Sequence, residues 1–394
     1  MPKPQFVYPG PAFPEGAAPL PEHRVLLACA RAFLRGDPGG DPALLAGVDP
    51  ARLRALAGPH GLLPLLNRWL AGVRPAATEL RAALRGEVLV GSQAALRLTA
   101  ELAELMRGLE AEGVPVLAYK GPALALQAYG DPSLRRFADL DLVVSPAALE
   151  RAVAALRGLG LTEEPFADPA QREAVLRDGH HLALHGRATV VELHWRFGKR
   201  VFGFREALDG VWERREIVTL AGASVSVLGR GDHLLALAIH ASKGVWATLE
   251  WTLSLAVLAR DLPEGEWAAV AGRARAWGCA RALQVGLLVA EELFSTPAPA
   301  AAWAHLSPSS AVRRLARRVA ARTLAGATSP AAYFGTQLAL RPGVIPKLRF
   351  VFRSLFVATP DDWAAAEGAR RRPGLARLAR PLRLLRKYGA ERPG

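Results

Sequence analysis

The apolar residues of this chain change period twice, and that alternation limits what it can fold into. From about Glu22 to Leu109 they recur at helical spacing, in "RVLLACARAFL", "LRALAGPHGLLPLLNRWLAGV" and "ALRLTAELAELMRGLEAEG", with glycine and proline between the runs. After Gly113 the runs shorten. "VPVLAY" predicts a strand, "GPALALQAYG" a helix ended by Gly130, "DLDLVV" a strand and "PAALERAVAALRGLG" a helix. "ATVVELHWRF" predicts a further strand, and "REIVTLAGASVSVLG" a hairpin that turns around Gly222. The helical period returns from Asp232 to about Arg322, where three or four helices are expected, and the tail from Val344 is helical in pieces broken by Pro360, Pro373 and Pro381. A sheet bracketed by helical regions is an α+β arrangement. The expected divisions are a flexible Pro-rich leader over 1–21, a helical region over 22–112, a sheet domain over 113–230, a helical domain over 231–340 and a basic tail over 341–394.

Charge is concentrated rather than spread. Residues 341–394 carry thirteen Lys or Arg against four acids, nine of the net fourteen positive charges of the chain. Within that tail Leu375, Leu378, Leu382 and Leu385 alternate with Arg377, Arg380, Arg383 and Arg386, a basic amphipathic pattern interrupted by Pro381. Such a pattern either docks its leucines on the folded body or meets an anionic membrane or an RNA. Cys29 and Cys279 are remote in sequence and show no metal-ligand spacing, so neither a disulfide framework nor a zinc site is indicated, and a cytoplasmic location is expected. The N-terminal stretch has no apolar core of the kind a signal peptide needs. The most apolar region, beginning at His233, is interrupted by His240, Lys243 and Glu250, so no transmembrane helix is predicted.

The chemistry gathers between Tyr119 and His194. In "YKGPALALQAYGDPSLRRFADLDLVV" two aspartates, Asp139 and Asp141, stand one residue apart in an apolar run. On a strand they project to the same face, and two carboxylates there form a clamp for a hard divalent ion such as Mg²⁺. A D-x-D alone also occurs at strand ends that merely cap a helix or face water. Upstream, Lys120 and Gly121 lie where a strand becomes a helix, a position that favours phosphate. Arg135 and Arg136 could neutralise phosphate or pair with the aspartates. "VVELHW" adds Glu192 on a further strand, with His194 on its face. His180, His181 and His185 lie nearby in sequence, and His240 and Lys243 are one helical turn apart further on; most of these read as structural or surface residues.

The K-G-x-A run followed by R-x-x-D-x-D-L-V resembles the bacterial proteins known as uncharacterised nucleotidyltransferases, which look like members of the DNA polymerase β nucleotidyltransferase superfamily. "LAGPHGLLPLL", "VVELHW", "DHLLALAIHASKGVW" and "ARPLRLLRKYG" resemble that family's landmarks in the same order, so the likeness covers nearly the whole chain. It implies a small mixed sheet flanked by helical regions, with transfer of a nucleotidyl group from an NTP to an acceptor hydroxyl on a protein, an RNA or a small metabolite, assisted by Mg²⁺ or Mn²⁺. Carried onto this sequence, Asp139, Asp141 and Glu192 take the metal and catalytic roles. Lys120 and Gly121 take the phosphate-loop role, with Arg136 assisting in nucleotide binding and His194 as an accessory. Two positions depart from the pattern: Gly121 is followed by Pro122 where better-known members have Ser, and Ser254 stands where an acid is expected. The alternative is a nucleotide sensor or scaffold that keeps the fold with little turnover.

Overall fold

The structure is a computed structural model. It describes residues 19–357, except 38–39, 74–76, 167–168, 187–188 and 327, together with residue 381. Most of the expected leader and the leucine-arginine pattern of the tail therefore lie outside the described residues.

Four helices open the chain: α1 (Pro21–Arg35), α2 (Pro50–Ala57), α3 (Leu63–Ala71) and α4 (Thr78–Ala111). At 34 residues, α4 is about 50 Å long at 1.5 Å per residue. The sheet region follows as β1 (Val116–Tyr119), α5 (Gly121–Tyr129), β2 (Leu140–Val144), α6 (Leu149–Gly158), β3 (Thr162–Glu163), α7 (Pro169–Asp178), β4 (His181–His185), β5 (Val190–His194), β6 (Glu216–Leu220) and β7 (Ala223–Val227). Six helices occupy the stretch in which three or four are expected from periodicity: α8 (Arg230–Lys243), α9 (Leu249–Arg260), α10 (Trp267–Ala276), α11 (Ala280–Phe294), α12 (Ala300–Leu306) and α13 (Ser310–Ala325). Several of the breaks fall at left-handed residues, among them Val245 and Trp246 between α8 and α9, where bulky apolar side chains carry no turn signal. The last described helices are α14 (Pro330–Ala339) and α15 (Val344–Phe356).

The strands form one mixed sheet in the order β3-β4-β5-β2-β1-β7-β6. Its centre is β2, antiparallel to β1 and parallel to β5. The predicted hairpin is present: Leu220 pairs with Ala223 across Ala221 and Gly222. Both turn residues have positive φ, the conformation whose twist suits adjoining strands. Strands β3 and β4 are additions to the expected set.

The two faces of the sheet bury different sets of side chains, as the period of two requires. Leu140, Leu142, Val144, Leu182, Leu184, Val191 and Leu193 pack with α6 and with the second half of α4, from Leu98 to Leu109. Leu117, Tyr119 and Val143 face the other way, into a larger core that joins α1 to α3 and the start of α4 with α8 to α13. The first and last helical regions thus close over the same sheet face. Polar ties accompany the packing: Arg31 donates to the Leu293 carbonyl at 3.0 Å, Arg260 to that of Leu34 at 2.8 Å, and the Glu250 amide to that of His60 at 3.1 Å. Among the described residues no helix is long and apolar enough to cross a membrane.

Candidate functional site

The strand register assembles the site. Asp141 pairs with Tyr119 of β1 on one side and with Glu192 of β5 on the other, while His194 pairs with His181 of β4. Paired residues share a face and Glu192 and His194 are two apart, so all five side chains stand on the sheet face covered by the helical core. The register alone brings Asp141 and Glu192 side by side.

Asp141 is buried to 3% exposure and is held by two groups. The Lys120 ammonium donates to Oδ1 at 2.5 Å, and His194 Nε2 lies 2.9 Å from the same oxygen. Burial by itself raises a carboxyl's pKa, but the Lys120 charge and the hydrogen bond from His194 outweigh it and keep Asp141 well below the usual carboxylate range. Glu192 behaves alike: burial opposes its charge, and His194, 3.5 Å from Oε2, with the nearby cations holds it ionised. The other imidazole nitrogen of His194, Nδ1, is 3.1 Å from the Tyr119 hydroxyl. Burial and then the neighbouring carboxylates push that phenol well above its ordinary pKa, so it stays a neutral hydroxyl able to donate or accept.

The ligand-capable atoms of Asp141, Glu192 and His194 all lie within 4.8 Å of one another. Two donors on one ion, each about 2.1 Å from it, lie within roughly 4.2 Å of each other, so small side-chain adjustments suffice. His181 Nδ1 is 3.6 Å from Glu192 Oε2 and makes no hydrogen bond. A buried nitrogen without a hydrogen bond beside the ionised Glu192 carboxylate fits a site for a divalent cation; His181 groups closely with His180 and His194, and His194 is shared with the Asp141–Glu192 group.

Lys120 reaches Asp141 from a strained turn. At the end of β1 its φ is 51° with ψ −152°, and Gly121 follows at φ 41°. For a lysine that conformation costs about 1–3 kcal/mol. Three interactions hold it: the Asp141 pair, the bond from the Lys120 amide to His233 Nε2 at 3.0 Å, and the bond from the Leu124 amide to the Lys120 carbonyl at 2.9 Å. His233 in α8 is fixed in turn by Gln127 Oε1, 2.6 Å from Nδ1. Burial first, then the Arg135 and Lys120 charges, push His233 down to about 3, so it is a neutral acceptor. Since the Lys120 amide is used internally and Pro122 has none, the turn offers phosphate fewer backbone donors than the Lys-Gly pair suggests.

The other candidates are placed as follows. Asp139 lies in the bend before β2, half-buried, and is outside the close donor group. Its charge reaches Tyr119, and its carbonyl is 3.4 Å from where a Cβ at Gly121 would sit, a close contact at a position whose positive φ already disfavours a side chain. Arg136 is exposed in the same loop. Arg135 pairs with neither aspartate: its Nε donates to Glu250 Oε1 at 2.5 Å, and NH1 reaches the Gly121 carbonyl at 3.5 Å. Ser254 donates to Glu250 Oε1 at 2.6 Å and meets the Tyr129 hydroxyl at 2.9 Å. The carboxylate that α9 sends toward Arg135 and the turn between β1 and α5 is therefore Glu250, one helical turn before Ser254.

Three residues near the site are not assigned to it from the sequence: Tyr119 goes unremarked, and His181 and Lys243 read as structural or surface residues. His181 and Tyr119 join through register, which only the assembled sheet reveals. Lys243, at the end of α8, is buried against His180, Nζ to Nε2 at 3.1 Å, and donates to the Phe197 carbonyl at 3.1 Å. Burial, then the charges of Lys120 and Lys199, push it down to about 7.

No curated protein and no solved structure matches the chain. Over residues 46–295, well over half its length and including every residue of the buried donor group, the sequence matches the family described as uncharacterised nucleotidyltransferases, and the chain belongs to that family.

Proposed function

We propose that the protein transfers a nucleotidyl group from an NTP to an acceptor hydroxyl at the Asp141–Glu192 pair, with a divalent ion as cofactor. The observation that carries this reading is the pairing of Asp141 with Glu192 on adjacent strands, with their donor atoms and that of His194 within 4.8 Å of one another. A divalent ion bound there would lower the pKa of the acceptor hydroxyl and offset charge at the α-phosphate as the acceptor oxygen displaces pyrophosphate. Asp141 and Glu192 are the first ligands, and Asp139 adds a carboxylate from the mouth of the strand. Lys120, paired with Asp141, would supply the positive charge beside the bound phosphates. Gly121 keeps the turn free of a side chain, and Arg136, exposed beside it, meets the nucleotide's phosphates from solvent. His194 orients Asp141 and Glu192 through Nε2, while its Nδ1 is held by the Tyr119 hydroxyl.

The test is incubation with each labelled NTP, Mg²⁺ or Mn²⁺ and cell extract, for the native chain and Asp141→Asn. Label should pass to a protein, RNA or small-molecule fraction and fall by at least about a hundredfold in the variant, the scale of losing a charge-stabilising group. Equal transfer by both chains removes the carboxylate pair from the reaction. The second reading, a sensor with little turnover, is favoured by the Lys120 amide being spent on His233 and by Pro122. It predicts a raised melting temperature with NTP and metal but no transfer.

A further inference from the structure

We propose that this centre is a mixed nitrogen and oxygen site, with His194 and His181 as ligands beside Asp141 and Glu192, and that it selects a first-row transition ion over Mg²⁺. The proposal rests on the reading that the two carboxylates hold a divalent ion, and it adds the class of ion and the two imidazoles.

The first observation is orientation. His194 presents Nε2 to both carboxylates, 2.9 Å from Asp141 Oδ1 and 3.5 Å from Glu192 Oε2. Its Nδ1 faces the Tyr119 hydroxyl at 3.1 Å. A phenol accepts as readily as it donates. As the side chains stand, Nε2 donates to Asp141 Oδ1; an ion taking that place displaces the Nε2 proton, and Nδ1–H donated to the Tyr119 hydroxyl is then the outer-sphere contact that fixes a metal-binding histidine.

The second observation is independent of the first. His181 comes from the next strand, in register with His194, and its ring is 5.0 Å from that of His194. Its Nδ1 is buried, makes no hydrogen bond and lies 3.6 Å from Glu192 Oε2. Leaving a buried polar atom unsatisfied costs about 1–3 kcal/mol, so a lone pair placed there is explained by a ligand. His180 is not needed, since its Nε2 is taken by Lys243. Mg²⁺ is served by carboxylates, phosphates and water and sheds water reluctantly. Two imidazoles with two carboxylates suit the transition ions, whose affinity for nitrogen donors rises along the first row.

Isothermal titration of the full chain with Mg²⁺, Mn²⁺ and Co²⁺, without nucleotide, tests the preference. Mn²⁺ and Co²⁺ should bind at least about tenfold more tightly than Mg²⁺. Electron spin echo spectra of the Mn²⁺-loaded native chain should show coupling to histidine nitrogen, a readout that needs no variant to fold. His181→Gln, at a partly exposed position, should weaken Mn²⁺ binding several-fold while leaving Mg²⁺ binding within about twofold. Mg²⁺ bound as tightly as Mn²⁺, or a spectrum without nitrogen coupling, overturns the proposal and leaves the carboxylate site standing. Binding of none of the three ions overturns both.

Discussion

Lys243 shows how much a single buried side chain can set against the fold. In the unfolded chain an amine holds its proton up to about pH 10.5, whereas in the folded chain Lys243 releases it near 7. Between those values the unfolded state binds more protons, so this residue makes stability rise with pH. Below about pH 7 both states are protonated and the penalty is at its full size, on the order of 5 kcal/mol. Lys243→Met removes that penalty but leaves His180 and the Phe197 carbonyl without a donor, which gives back about 1–3 kcal/mol. The variant should therefore be more stable by about 2 kcal/mol at pH 7, and its stability should vary less between pH 7 and 10. Urea melts across that range measure both, and an unchanged slope would show that the amine is not desolvated. A position kept destabilising beside the donor group is expected of a functional residue, so the same variant should lose transfer activity while gaining stability.

The turn between β1 and α5 is the element that delivers Lys120, and its stability rests on a histidine more than a hundred residues away. His233→Ala leaves the Lys120 amide and Gln127 Oε1 without the partners they have now. The loss should be about 2–4 kcal/mol, from two buried groups left unsatisfied plus a small cavity, read as a shift in the denaturant midpoint with an unchanged slope. Metal affinity should fall much less, because Asp141 and Glu192 are held by the sheet. A midpoint within 0.5 kcal/mol of the native value would mean that water replaces the imidazole. This element also shows what was legible in the chain. The apolar runs and Gly130 marked β1 and α5 because burial writes its period into the residues. The strain at Lys120 left no trace, since a lysine at φ 51° looks like any other and the following glycine absorbs the attention. Strand β4 was hidden for a related reason: "HLALH" alternates as a strand should, but its three outer positions are His, Ala and His, and so it reads as a polar loop. Asp139 and Asp141 read as an equivalent pair, yet the strand begins at Leu140 and only Asp141 is locked in register.

At the scale of the molecule, the sequence predicted helices on both sides of a sheet but not that they share one core, because contacts between residues two hundred apart have no local signature. Among the described residues α15 presents an exposed apolar face. Val344, Ile345, Leu348 and Phe352 are each more than 60% exposed, and Val351 is 40% exposed. Their spacing places them on one helical face, while Phe350 is buried on the other, stacked 3.9 Å from the Arg341 guanidinium. Lys347 and Arg349 are exposed on the same helix, which lies within the stretch 341–394 that carries nine of the chain's fourteen net positive charges. Aliphatic side chains gain nothing from RNA phosphates but partition into a bilayer, so the occupant we propose for this face is an anionic lipid surface. The full chain should float with vesicles of phosphatidylcholine and phosphatidylglycerol at 0.1 M salt, should bind pure phosphatidylcholine weakly, and should dissociate from the mixed vesicles as salt rises toward 0.5 M. Replacing Ile345, Leu348 and Phe352 together by Ser should lower partitioning at least about tenfold, since each buried apolar side chain contributes about 1.5–3 kcal/mol. Because these side chains are exposed, the melting temperature should not move. Flotation of the triple variant equal to that of the native chain would assign the attraction to charge alone, and salt-sensitive binding to RNA with no vesicle binding would make the tail a nucleic-acid contact instead.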